Sequence, residues 1–266
     1  MSNIKIYFSF LASSVMSQMQ YRASIIMLSL GQFMVTGIEF LVLLALFHRF
    51  DSLLNWSLAE VALFYGFIHV VFALADSLSR GFDVMPMLIK TGELDRMLLR
   101  PVPLLLQVSA KELTIRRVGR FFHGLIVAIW AWISLGIPFG FINILLIVWA
   151  GLSAFLLFQA IVILQATLCF WTTESIELGN LFTYGGVEAV QFPISIYPLA
   201  IQRFFLFIVP LGAVSYFPLV HLIGKQSVYS IPGWSVWIIP LTGWVFWLLS
   251  QWFFSLGLRH YTSSGS

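Results

Sequence analysis

The apolar residues of this chain fall in long continuous runs, and its polar residues gather between them. Runs near residues 23–47, 58–78, 121–135, 141–171, 203–217 and 234–258 predict six helical spans. A run of about twenty apolar residues reads as a membrane-crossing helix, because backbone groups in lipid have to be satisfied inside their own helix. A membrane barrel would alternate apolar and polar positions, and these runs do not. Residues 1–21 follow a different rule. Ile4, Phe8, Leu11, Val15 and Met19 recur at spacings of three and four, with Ser9, Ser13, Ser17 and Gln20 off that stripe. This predicts a helix lying in the plane of the interface; the alternative is a plain extension of the first span.

The breaks between runs carry their own signals. Gly136, Pro138 and Gly140 predict a tight turn between the third and fourth spans. Residues 172–202 hold three glutamates, three glycines and two prolines, which rules out one straight helix there. A short helix and a broken approach to the fifth span are expected. Pro210 interrupts that span, and 218–233 is expected outside, dipping partway back into the bilayer.

Composition turns this pattern into a class. Hydrophobic residues make up 60% of the 266 positions and charged residues only 9%, against about 25% charged in soluble domains. Mean hydropathy is +0.95. The expected fold is all-α, a single polytopic membrane domain over 1–266. Cys169 is the only cysteine, which excludes an internal disulfide. The first twenty residues lack the continuous apolar core of a cleavable leader, so none is expected.

Charge sets the orientation. Residues 80–120 hold eight of the fourteen Lys and Arg: Arg80, Lys90, Arg96, Arg100, Lys111, Arg116, Arg117 and Arg120. Basic loops stay on the cytoplasmic side. With both termini also inside, Lys5, Arg22, Arg203 and Arg259 join those eight to make twelve, against Arg49 and Lys225 outside. The basic bias therefore reflects membrane topology, and no nucleic-acid partner is expected.

Catalytic chemistry is hard to find. No Gly-Lys-Ser/Thr phosphate loop, His-Glu-x-x-His zinc pair or Gly-x-Ser-x-Gly elbow occurs. The five histidines do not pair at metal-ligand spacing. No catalytic residue, metal or cofactor is expected on this chain. Glu39 lies inside the first span, where a charge is costly. It faces a substrate path or is hydrogen-bonded between helices. Asp76 and Arg80, four apart, read as a helix-end pair.

The basic loop contains a short helix from Gly92 to Pro101. Leu94, Met97 and Leu98 share its apolar face, while Glu93, Asp95 and Arg96 are polar. So short a helix is marginal alone and would become ordered by docking that face on another protein. The plainer alternative is a surface helix held by anionic lipid.

Gly-Glu-Leu-Asp-x-x-Leu-Leu-Arg-Pro at 92–101 resembles the loop of bacterial ATP-binding-cassette (ABC) transporter permeases of the type-2 exporter class. Pro193-Ile-Ser-Ile-Tyr-Pro198, the 210–218 stretch, and Arg259-His260-Tyr261 with Ser264-Gly265 carry the same resemblance. The resemblance implies an interfacial helix, six spans, a cytoplasmic coupling helix between the second and third, and a partly re-entrant element before the sixth. It implies an ABC ATPase partner carrying ATP and Mg, a second permease subunit that is a sister protein or another copy, and the bacterial plasma membrane with its lipid. Glu93, Leu94, Asp95, Met97, Leu98, Leu99, Arg100 and Pro101 would be the ATPase-coupling residues. An integral membrane enzyme acting on lipid needs a catalytic cluster, and a lone ion-coupled transporter needs buried acid–base relays; neither was read from the sequence.

Overall fold

The computed structural model describes residues 3–172 and 176–262, so Ser264 and Gly265 lie outside the described residues. Among the described residues there is no strand, only the isolated bridge between Leu53 and Trp56. In order the helices are α1 Asn3–Met19, α2 Arg22–Phe50, α3 Leu58–Asp83, α4 Met85–Lys90, α5 Glu93–Leu98, α6 Leu104–Ser109 and α7 Val118–Ser134. They continue with α8 Phe141–Leu168, α9 Ile176–Val190, α10 Leu199–Arg203, α11 Leu211–Ile223, α12 Ser235–Ile238 and α13 Leu241–Arg259. The all-α membrane class read from the sequence is the one found. Among the described residues four helices are long and apolar enough to cross a membrane: α2, α3 continued to Lys90, α8, and 235–259.

Side-chain ties show which end of the bundle each helix reaches. At one end, here the foot, α4–α6 pack together; Gln18 bonds the Leu113 carbonyl, and Tyr261 bonds Asp95 at 2.9 Å. The end of α1, through Gln18, and the end of α13, through Tyr261, therefore both reach the foot. At the other end, the loop end, Trp56 donates to Ser195 Oγ at 2.9 Å and Lys225 donates to Asn55 O and Glu60, both at 2.6 Å. The chain passes between the two ends six times, as α2, α3, α7, α8, α9 and α13.

The fifth pass differs from expectation. The 203–217 stretch does not traverse the bundle. The segments Leu199–Ile208 and Leu211–Ile223 meet at a 100° bend. Phe204–Ile208 is a wide π turn, and Pro210 caps α11. Ser195 precedes this pair and Lys225 follows it, and both lie beside the 55–60 corner. The pair is a re-entrant hairpin that starts and finishes at the loop end. The pass itself is α9, only 15 residues long. Arg203, on α10, moves with the hairpin. The foot side then holds twelve less one, eleven basic residues, and the loop side two plus one, three.

Local chemistry explains the boundaries. Ser57 and Glu60 form a reciprocal capping box that starts α3. Gly136 at φ 63° ends the turn after α7, and Gly224 at φ 76° ends α11. α1 is a separate helix, broken from α2 at Gln20–Tyr21 and laid against 113–115 through Ser14 and Gln18, so it is no extension of the first span.

The core runs along α3, of whose apolar stretch 78% is buried against 17% for α2. Glycines let its neighbours close in. A Cβ on Gly66 would lie 2.5 Å from Ala128 N of α7. Without a hydrophobic force between helices in lipid, such small-residue contacts supply the van der Waals packing. Gly66→Ala should therefore push α3 off α7 and lower stability in detergent by about 1–3 kcal/mol. Gly31→Ala, where nothing lies within 4 Å, should be neutral or slightly stabilising. Thermal unfolding of the two variants checks this, and equal melting would refute the packing account.

Candidate functional site

The foot is built from short helices that sequence punctuation keeps apart. Pro86 opens α4, Gly92 at φ 66° turns the chain into α5, and Pro101 and Pro103 separate α5 from α6. Their inward side chains, Met85, Leu88, Leu94, Met97, Leu104 and Val108, form one apolar cluster. Phe82 of α3, Val162, Ile163 and Ala166 of α8 and Phe254 of α13 complete it. A Cβ on Gly81 would fall 1.8 Å from the Val108 carbonyl oxygen, so only glycine lets α6 lie this close to α3. The buried Gln107 amide donates to Met97 O at 2.9 Å and Val102 O at 2.8 Å, which fixes the turn between α5 and α6.

Two polar ties fasten the outer side. Glu93 pairs with Lys111, whose ammonium holds that carboxyl below the usual carboxylate range. A depressed carboxyl stabilises the fold above its unfolded pKa of about 4.3, and that contribution fades as pH falls through the lower folded value. The Tyr261 hydroxyl donates to Asp95 Oδ1 at 2.9 Å. Burial, then the nearby Asp95, pushes the Tyr261 hydroxyl up to about 12. The 92–101 and 259–261 stretches, far apart in sequence, thus meet.

The structure divides the predicted docking residues into buried and accessible ones. Leu94 is 0% and Met97 4% exposed, both inside the chain's own core. Leu98 is 41% and Leu99 86% exposed, with Arg100 and Pro101 exposed beside them. The stripe on α5 turns into the apolar cluster, packed directly against α4 and α6, and the accessible edge is Leu98–Pro101. Glu93 and Asp95 are half-buried and occupied by Lys111 and Tyr261.

Above the foot lies a polar network that the sequence reading missed. Arg117 pairs with Asp76 of α3 and donates to Gln32 of α2 at 3.0 Å and to Tyr184 of α9 at 2.8 Å. Arg80, expected to pair with Asp76, instead pairs with Asp83 at 2.6 Å. Arg120 Nε donates to His69 Nδ1 at 2.9 Å, so that nitrogen carries no proton. His69 Nε2 then donates to Gln191 Oε1 at 3.1 Å, and Gln191 donates to Glu188 at 2.6 Å. The histidine is the neutral Nε2 tautomer, set by its two partners. Glu39, half-buried on α2, borders this network within the field of Arg120 and Glu188, and its Oε2 is buried without a hydrogen-bond partner. The cavity beside Asp76 and Tyr184 is about 10 Å³, room for one water at most. The sequence signals were Glu39 and Asp76 in spans and the arginines at 116, 117 and 120, and a charge count alone reads the arginines as loop residues.

A family model described as ABC-2 family transporter protein matches residues 33–265. A comparison with curated proteins found no match.

Removing Asp76 alone strands Arg117, which is 8% exposed. Asp76→Asn should cost about 3–5 kcal/mol, whereas the double change Asp76→Leu with Arg117→Met should be close to neutral. Denaturant unfolding in micelles reads the difference. A double variant no more stable than the single would show that the pair is not the source.

Proposed function

We propose that this chain, which belongs to the ABC-2 transporter family and is the permease part of an ABC transporter, exports its cargo by coupling to a separate ATPase subunit docked on the foot. One observation carries the reading. The foot's apolar core is continuous with α3, α8 and α13 through Phe82, Val162, Ile163, Ala166 and Phe254. A load on the exposed Leu98–Pro101 edge moves those three helices with the foot, because a close-packed core transmits displacement.

In this reading the foot faces the cytoplasm. The eleven-to-three division of basic residues between the two ends supports it. ATP and Mg belong to the partner subunit, and a second permease, a sister or another copy, completes the path. The protein then sits in the inner membrane with both termini inside. Leu99 anchors the partner by its apolar side chain, and Arg96 pairs with an acidic group on it.

Leu99→Asp should abolish co-purification of the ATPase while leaving the melting temperature of the isolated chain unchanged, since Leu99 is 86% exposed. Undiminished co-purification would sink the docking site. Sidedness is tested by placing Thr91→Cys in a Cys169→Ser chain. A membrane-impermeant maleimide should fail to label it from outside intact cells and should label it in inverted vesicles.

A further inference from the structure

A cleft of about 710 Å³ opens between α1, the first turns of α2 and the foot, within the about 300–1,000 Å³ range of small-molecule sites. Arg80, Arg100, Lys111 and Arg116 line it, with Glu93 and Glu112. Two of the four cations are spent within the protein: Lys111 on Glu93 and Arg80 on Asp83. Arg100 and Arg116 have no ion-pair partner among the described residues, and Glu112 is the one lining acid left over. Arg116 Nε is a buried donor with no acceptor. Arg116 also lines the open cleft, and charged donors facing an open cleft favour an anionic oxygen, because charge-assisted hydrogen bonds are the strong ones.

The opposite wall is apolar. Ile25 and Leu28 lie on the first turns of the span α2. Ser14 and Gln18 of α1, the helix read as interfacial, close the third side. A cleft with cationic donors on one wall and span-forming aliphatics on the other fits an amphipathic anion.

We propose that this cleft binds the phosphate-bearing headgroup of an anionic membrane lipid. Its phosphate oxygens would accept from Arg116 and Arg100, and its chains would run along Ile25 and Leu28. The bound lipid would join α1 to the 111–116 segment. The same phosphate chemistry could come from free phosphate, which lacks the chains. The proposal is about the cleft alone and does not rest on the ATPase reading.

The full chain, purified in mild detergent with any subunits that accompany it, is loaded with phosphatidylglycerol or phosphatidylcholine. Native mass spectrometry counts the lipids retained. Wild type should keep one phosphatidylglycerol per chain and no phosphatidylcholine, and Arg116→Gln should weaken that retention about tenfold, as loss of a charged hydrogen bond does. Arg100→Gln, at an exposed position, should weaken it as well and carries the test where the first variant fails to fold. Lys90→Gln, exposed and outside the cleft, should change nothing. Equal retention by wild type and Arg100→Gln, or equal retention of the two lipids, overturns the proposal. Displacement of the lipid by millimolar inorganic phosphate overturns the lipid as the source, and resistance to it supports the lipid.

Discussion

Arg117 and Arg120 carry full positive charge into the interior of a helix bundle, and much of the architecture answers that fact. A buried charge without a partner is expensive, so each guanidinium has to be met by groups from other helices. Arg117 is met by Asp76, Gln32 and Tyr184, and Arg120 by His69, with its guanidinium 5.1 Å from the centre of the Phe72 ring. These partners lie on α2, α3 and α9. The two arginines therefore fix how four helices sit against each other, α7 included. The glycine contacts let those helices approach; the charges set their register. A surface pair such as Glu93–Lys111 contributes about 0–1 kcal/mol and cannot play that part.

The foot depends on the same frame. α3 leaves the network at Asp76 and reaches the foot core at Phe82, less than two turns later. Gly81 admits α6, Gln107 closes the α5–α6 turn, and Tyr261 ties α5 to the end of α13. The foot is thus the packed end of three long helices. The opposite end is made differently. There the hairpin of α10 and α11 is held by Trp56, Ser195 and Lys225 against the corner between α2 and α3.

What the sequence made legible was local. Continuous apolar runs located α2, α3, α8 and α13, and Gly92 and Pro101 bracketed α5. The fifth pass was misplaced because hydropathy scores transfer into lipid, not direction. The 203–217 run is apolar enough to cross, while α9 is short and glycine-bearing. The Leu94–Met97 stripe is a face that needs cover, but a stripe does not name its cover; here it is the chain's own cluster, α4 and α6 beside it and members of α8 and α13 from more than sixty residues away. Asp76 was assigned to Arg80 because they are four apart. Its true partner, Arg117, is 117 − 76 = 41 residues on, and no helical periodicity links them.

The buried arginines also bear on orientation. Retention of basic loops on one side of a membrane acts on charges near span ends as the chain inserts. Arg117 and Arg120 end in the interior, so the folded foot side presents eleven less two, nine basic residues, still against three. The bias survives the most severe count, and it survives without relying on the residues that the network consumes. The nine are also unevenly placed: Arg80, Arg100, Lys111 and Arg116 ring one cleft beside α1. Charge that only directed insertion would have no reason to converge on a concave site. That convergence separates a topological role from a binding role within a single basic segment.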